Sequence, residues 1–144
     1  MPALNFQKQF AAAVESGEKR QTIRALRKNP IKAGDWLYLY TGQRTKWCRP
    51  LIVQRSVEVI RRFIKGRPLK HVVECQSVTP IKIEPAHVWL KDLPVRGNER
   101  RWRRLLVHDL QLFAEDDGFV LAEDLIDWFK KTHGLPFEGV LIRW

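Results

Sequence analysis

Lys19, Thr22 and Arg24 are the residues whose types and spacing could do chemistry. They lie in Ser16-Gly17-Glu18-Lys19-Arg20-Gln21-Thr22-Ile23-Arg24. An extended backbone from Arg20 onward projects Arg20, Thr22 and Arg24 to one face and Gln21 and Ile23 to the other. A hydroxyl is then flanked by guanidinium groups. Gly17 permits a bend just upstream, which lets Lys19 swing round to the same face. Lys, Thr and Arg could therefore converge on one pocket. A helix exit followed by a cationic edge strand would show the same spacing, so the surrounding elements carry the decision.

Those elements read as follows. Leu4 and Phe6 mark a short first strand, and Phe10, Ala13 and Val14 recur at helical spacing until Gly17 supplies a C-cap. Turns at Arg27-Lys28-Asn29-Pro30 and Lys32-Ala33-Gly34-Asp35 open onto Trp36-Leu37-Tyr38-Leu39-Tyr40, too short and aromatic for a helix. Leu51-Ile52-Val53 begins a third strand, with Val57, Val59 and Phe63 continuing its alternation, and Gly66-Arg67-Pro68 turns the chain. His71 through Val78 and Ile81 through Ile83 predict further strands, divided at Pro80. Short strands at this spacing suggest a barrel. A helix from Leu121 to Lys131 places Leu121, Leu125, Trp128 and Phe129 at core spacing, and Val140 to Trp144 predicts a terminal strand closing the sheet. The acidic run Phe113 to Phe119 then precedes that helix's N-terminus, where its carboxylates would complement the dipole.

The 144 residues, 44% hydrophobic with six Trp, suffice for one core and one domain. A formal net charge of +10 and a pI near 10.1 point to a polyanionic partner or an anionic substrate. No apolar run approaches the roughly 20 residues of a membrane span, and Met1-Pro2-Ala3-Leu4-Asn5 lacks signal-peptide character, so a cytoplasmic protein without membrane attachment is expected. Cys48 and Cys75 are expected to be buried thiols rather than a disulfide. His71, His87, His108 and His133 are scattered without metal-ligand spacing, and no Gly-rich phosphate loop occurs, which points away from a metal or nucleotide cofactor.

Three further groups of residues could contribute. The loop Thr41 to Lys46 brings Arg44 and Lys46 to the end of the strand that carries Tyr40, as substrate contacts or as a solvated hairpin. Glu74 alternates with Val73 and Cys75 and points into the barrel or out to water. Gly97 to Leu106 sets four arginines around Trp102. It predicts either an amphipathic helix with Trp102, Leu105 and Leu106 inward, or phosphate binding with the indole stacked on a base.

Taken together, Ser16 to Arg24, Pro30 to Leu39, Ala114-Glu115-Asp116-Asp117-Gly118-Phe119, Trp128-Phe129 and the last strand resemble the ASCH superfamily over almost the whole chain. The Gly17-x-Lys19-x-x-Thr22-x-Arg24 pattern is the specific part of that resemblance. It implies an α+β, PUA-like (ASCH) fold, a small mixed β-barrel flanked by helices with a cleft on the barrel, as one domain over residues 1–144. It also implies the activity of the branch that removes the acyl group from N4-acetylcytidine with a Lys, a Thr and an acid, without a cofactor. Carried over, the Lys is Lys19 and the Thr is Thr22. The acid falls on Asp117, with Glu115 next and Glu74 third. The chain departs from the branch in having Asp where the branch has Glu, and in a basic insertion at about 94–106.

The chemistry follows from the residue types. Like charges from Arg20 and Arg24, with partial burial, lower the Lys19 pKa until the amine can take the Thr22 proton. Arg24 or a backbone N–H stabilises the oxyanion, and Asp117 or Glu115 protonates the leaving exocyclic amine or orients Lys19. Arg20, Arg24, Tyr40, Arg44 and Lys46 are the expected substrate contacts. The substrate implied is an N4-acylated cytidine or a related modified nucleoside, with RNA as a further partner and monomer or dimer both open. Two other readings compete: an RNA-binding module using these cations and the Arg100 to Arg104 cluster, and a metal-independent ribonuclease using Lys46 and Tyr40 with Lys19.

Overall fold

The computed structural model describes residues 2–53, 63–64, 67–68, 72–97 and 99–144. Strand β1 (Ala3–Phe6) leads into helix α1 (Lys8–Ser16), which turns Phe10, Ala11 and Val14 inward. Gly17 ends the helix at φ 83°, a left-handed conformation that costs glycine no Cβ clash. The chain then runs through Lys19 into β2 (Gln21–Ala25) and, after the expected turns, β3 (Trp36–Thr41). Further on come β4 (Arg49–Pro50), β5 (Phe63–Ile64), β6 (Arg67–Pro68), β7 (Val72–Glu74), β8 (Ser77–Ile83), β9 (Val88–Pro94) and β10 (Arg100–Arg104). Helices α2 (Val107–Asp116) and α3 (Ala122–Thr132) precede the last strand, β11 (Phe137–Arg143).

The result is a mixed α+β architecture. One sheet pairs β1 parallel to β3, whose other edge takes β4 and β7. The second is antiparallel in the order β10-β9-β8-β11-β2, and β5 and β6 form a separate ribbon. Among the described residues these sheets do not close into a barrel. The side chains of β11 explain the arrangement. Ile142 enters a core with Leu4, Phe6, Val14, Leu37 and Leu39, whereas Leu141 enters a second core with Ile23, Ile81, Phe113, Leu125 and Phe129. A strand buried on both faces reads as a continuous apolar run, as Val140-Leu141-Ile142 does.

Several expectations are corrected. β11 lies between β8 and β2 and so is central rather than a closing strand. β8 passes through Pro80 unbroken, with Pro80 opposite Val140 in the register. Leu51 to Val53 is irregular, its buried Leu51 tied to β3 by an N–H to the Leu39 carbonyl (2.9 Å). The alternation read at Val57 and Val59 lies outside the described residues. The arginine segment around Trp102 is strand β10, not a helix, because it pairs antiparallel with β9. The acidic run precedes α3, as expected, but it also forms the end of α2, with Asp117 as its C-cap. Cys48 is exposed while Cys75 is buried, and both are free thiols. Among the described residues, no helix is long and apolar enough to cross a membrane.

Candidate active site

The cleft opens where the two cores meet, and its position follows from strand register. In β2, Thr22 stands opposite Ile142 and Ile23 opposite Leu141. Thr22 and Arg24 therefore face the α1 side while Ile23 packs under α2 and α3, as the alternation predicted. Gln21 faces with Ile23, its Nε2 donating to the Phe113 carbonyl at 3.3 Å. The resulting cavity, about 510 Å³, is lined by Asn5, Phe10, Lys19, Thr22, Arg24 and Asp117 among others.

Lys19 reaches it by a backbone bend. Its N–H donates to the Ala13 carbonyl at 2.9 Å, wrapping the chain over the end of α1. The side chain is 3% exposed and ends at the C-terminus of α2, with Nζ 2.9 Å from Asp117 Oδ1. Nζ also donates to the Asp117 backbone carbonyl, and it lies 5.1 Å from the Phe10 ring centroid. A helix C-terminus is a favourable place for a cation, and so the acidic run matters here through α2's end rather than α3's start. Gly118, at φ 93°, turns the chain away directly after Asp117. A Cβ there would stand 3.1 Å from Phe10 Cδ1 and 3.5 Å from Lys19 Cδ, so glycine leaves the room that the lysine stem occupies.

Burial sets the electrostatics. Asp117 is 5% exposed, and burial pushes its carboxyl up to about 6 even though the Lys19 ammonium pulls the other way. Burial also lowers the Lys19 amine; Asp117 opposes this and Arg24 adds to it. Each shift runs toward that group's uncharged form, an amine for Lys19 and a carboxylic acid for Asp117. Asp117 Oδ1 sits near Nζ without an aligned hydrogen bond, and Arg24 Nε is likewise buried without a hydrogen-bond partner among the described residues. Arg24 is otherwise held, with Nη2 donating to the Asn5 carbonyl at 2.8 Å and the guanidinium 5.0 Å from the Phe6 ring centroid. Unsatisfied buried polar atoms are costly, so a wall that keeps two of them is suited to a polar ligand.

No family model, curated protein or solved structure matches the chain. The site therefore rests on its own geometry.

Of the residues singled out by sequence, the cleft brings together Lys19, Thr22, Arg24 and Asp117. Glu115 is exposed on the outer side of α2, accepting from Gln111 Nε2 at 2.8 Å. Glu74 pairs in register with Trp36 on β7, outside the cleft lining. Arg20 precedes β2, is exposed, and folds back to donate from Nε to the Gly17 carbonyl at 2.9 Å. Tyr40, Arg44 and Lys46 also lie outside the lining. Tyr40 rings with Tyr38 (centroids 6.5 Å apart), and Lys46 sits over Trp47 at 5.0 Å.

Sequence reasoning missed Asn5, Gln43 and the aromatic wall. Asn5 Oδ1 accepts from the Gln43 N–H at 2.9 Å, and its carbonyl receives Arg24. Its place depends on the parallel pairing of β1 with β3, a contact that no local pattern announces. Phe10, Phe119 and Trp128 meet edge to face, at 5.4, 6.3 and 6.1 Å between centroids. Such a wall offers aromatic surface to a planar ligand.

Proposed function

We propose that the cleft is an amidohydrolase site for N4-acylated cytosine nucleosides, N4-acetylcytidine among them, and that the chain is a single ASCH domain of the PUA-like fold. The observation that carries this reading is the buried Lys19–Asp117 pair, 2.9 Å from Nζ to Oδ1, in one cavity with Thr22 and Arg24. A cavity of about 510 Å³ suits a nucleoside, and its mixture of aromatic wall and few polar groups is that of small-molecule sites.

In the proposed reaction the Lys19 amine takes the Thr22 hydroxyl proton as Oγ1 attacks the acyl carbon. The carbonyl oxygen becomes an oxyanion, stabilised by the Arg24 guanidinium. The carbon–nitrogen bond breaks as the Asp117 carboxylic acid protonates the exocyclic nitrogen, and cytidine leaves with its free amine. Water then attacks the acyl-threonine ester, giving one proton to the Asp117 carboxylate, and the ester bond breaks as Lys19 returns its proton to Thr22 Oγ1, so that the carboxylic acid departs. One amide and one water are consumed, and one amine and one acid are formed. The raised Asp117 and lowered Lys19 suit these roles, because an acid must hold its proton and a base must lack one.

The test is cytidine release from N4-acetylcytidine by the purified protein with chelator present, comparing wild type with Lys19→Ala and Thr22→Ala. Turnover by wild type and its loss in both variants supports the reading. An inert wild type would remove it.

A further inference from the structure

At its β8–β9–β10 end the antiparallel sheet presents a second side, away from α2 and α3. Ile81, Ile83, Val88, Leu90 and Leu105 point toward those helices and are buried there. Alternation therefore turns Lys82, Trp89, Lys91 and Arg104 the other way, and Trp102, at the bulge between Arg101 and Arg103, lies with them, under Lys82 and Lys91. Register confirms the grouping: Trp89 stands opposite both Lys82 of β8 and Arg104 of β10. Trp102 is 39% exposed, with Lys82 Nζ 5.2 Å and Lys91 Nζ 6.0 Å from its ring centroid.

Charge on this sheet end is one-sided. Asp92 is consumed by Arg103, which donates from Nε at 3.0 Å and Nη2 at 2.7 Å and so pins the β9–β10 hairpin. Glu138 partners Lys82 at 3.4 Å. Among the described residues, Lys91, Arg100, Arg101 and Arg104 have no carboxylate within ion-pair distance and all four are exposed. The molecule as a whole carries +10.

We propose that this face binds single-stranded nucleic acid, with Trp102 stacking on an unpaired base and Lys91, Arg104 and the adjacent Arg100 and Arg101 holding the flanking phosphates. An exposed indole on a sheet, ringed by cations, supplies both parts of such recognition. The lysines over the ring have flexible stems, and a base entering the stack displaces them onto the phosphates that come with it. A duplex keeps its bases stacked inside and offers the indole nothing. This inference stands apart from the hydrolase reading, since the face shares no residue with the cleft lining.

The experiment is fluorescence anisotropy of a labelled oligouridylate of about 12 nucleotides, against an RNA duplex of the same length, between about 50 and 200 mM salt. Wild type is expected to prefer the single strand. Trp102→Ala should weaken that binding by about 5- to 150-fold, the range of one lost base stack, and Trp102→Phe should recover most of it. Joint Lys91→Glu and Arg104→Glu substitution should lower the slope of log affinity on log salt by about 1.4, for two lost phosphate contacts on a single strand. Circular dichroism checks that each variant keeps its fold. Equal binding of duplex and single strand, or a folded Trp102→Ala variant that binds like wild type, would overturn the proposal.

Discussion

Lys19 and Asp117 stand 98 residues apart in the chain, yet Nζ lies 2.9 Å from Oδ1 with both side chains sealed from solvent. A buried ion pair of this kind contributes little net stability, because desolvation offsets most of the attraction. Its value is chemical. The cavity wall pushes the acid up and the amine down, toward the uncharged forms that a general acid and a general base need.

The first prediction concerns stability against pH. Asp117 titrates at about 6 when folded, against an ordinary 3.8, so the folded state holds a proton that the unfolded chain has released between those values. Its stabilising contribution is complete below 3.8 and is lost as pH rises through about 6. Lys19, lowered from 10.5, runs the opposite way: its contribution is present above 10.5 and lost as pH falls through the folded value. The thermal midpoint of wild type should therefore fall relative to Asp117→Asn as pH is raised from about 4 to 7. A gap that stays constant or moves in favour of wild type would contradict the assignment.

Activity should follow the same pair. When both groups are protonated Lys19 cannot act as a base, so kcat/KM for N4-acetylcytidine should rise with pH through about 6, the value to which burial pushes Asp117. Asp117→Asn should flatten that limb as well as reduce the rate. A pH–rate profile of the two proteins checks this.

Thr22→Ala should remove the nucleophile and lower kcat by at least about a thousandfold, while Thr22→Ser, which keeps a hydroxyl at the same strand position, retains a measurable fraction. Mass spectrometry of wild type quenched during turnover should show a protein species heavier by one acyl group, and Thr22→Ala should show none.

Arg24→Met should lower kcat by about a hundred- to a thousandfold if the guanidinium faces the oxyanion. Arg24→Lys should rescue little, because the Nη2 bond to the Asn5 carbonyl and the unpaired Nε both depend on the guanidinium fork. Steady-state kinetics that show a change confined to KM would assign Arg24 to binding alone.

Gly139→Ala should disturb the site from outside it. A Cβ at Gly139 would fall 2.2 Å from the Arg24 backbone oxygen and 2.9 Å from two Phe137 ring carbons, so β2 must move away from β11. Overpacking of this kind costs about 1–3 kcal/mol, readable as a lower denaturation midpoint, and the displacement should reduce activity along with stability.

How much of this was legible beforehand differs by element. Phe10 and Val14 at helical spacing before Gly17, and alternation from Gln21 to Arg24, are local patterns, and α1, its left-handed cap and β2 formed as expected. The same holds for Trp36–Thr41 and for Ala122–Thr132. Trp102 and its arginines misled, because amphipathic spacing fits a helix when nothing shows the β9 partner that pairs with them. Pro80 misled for the reverse reason: a residue that usually marks a boundary sits within β8 opposite Val140.

For the candidate site, the sequence by itself determined which side chains share a face of β2, since backbone alternation puts Thr22 with Arg24 and leaves Gln21 with Ile23. It also supplied Lys19, through the bend that Gly17 allows. The resemblance put Asp117 first among three acids, but which acid stands beside Lys19 depended on the tertiary structure. Glu115 and Asp117 are two residues apart and Glu74 is distant, and composition treats all three alike. At the end of α2 the helix screw turns Glu115 to solvent and Asp117 inward, onto a lysine brought there by the packing of α1 against Phe119 and Trp128. Arg20 shows the same dependence, for one residue before β2 its carbonyl still accepts from the Trp144 N–H at 3.0 Å, yet its guanidinium serves Gly17 instead of the cleft. Periodicity is a property of neighbours in the chain, whereas the meeting of a helix end with a distant strand is set by which surfaces exclude water together.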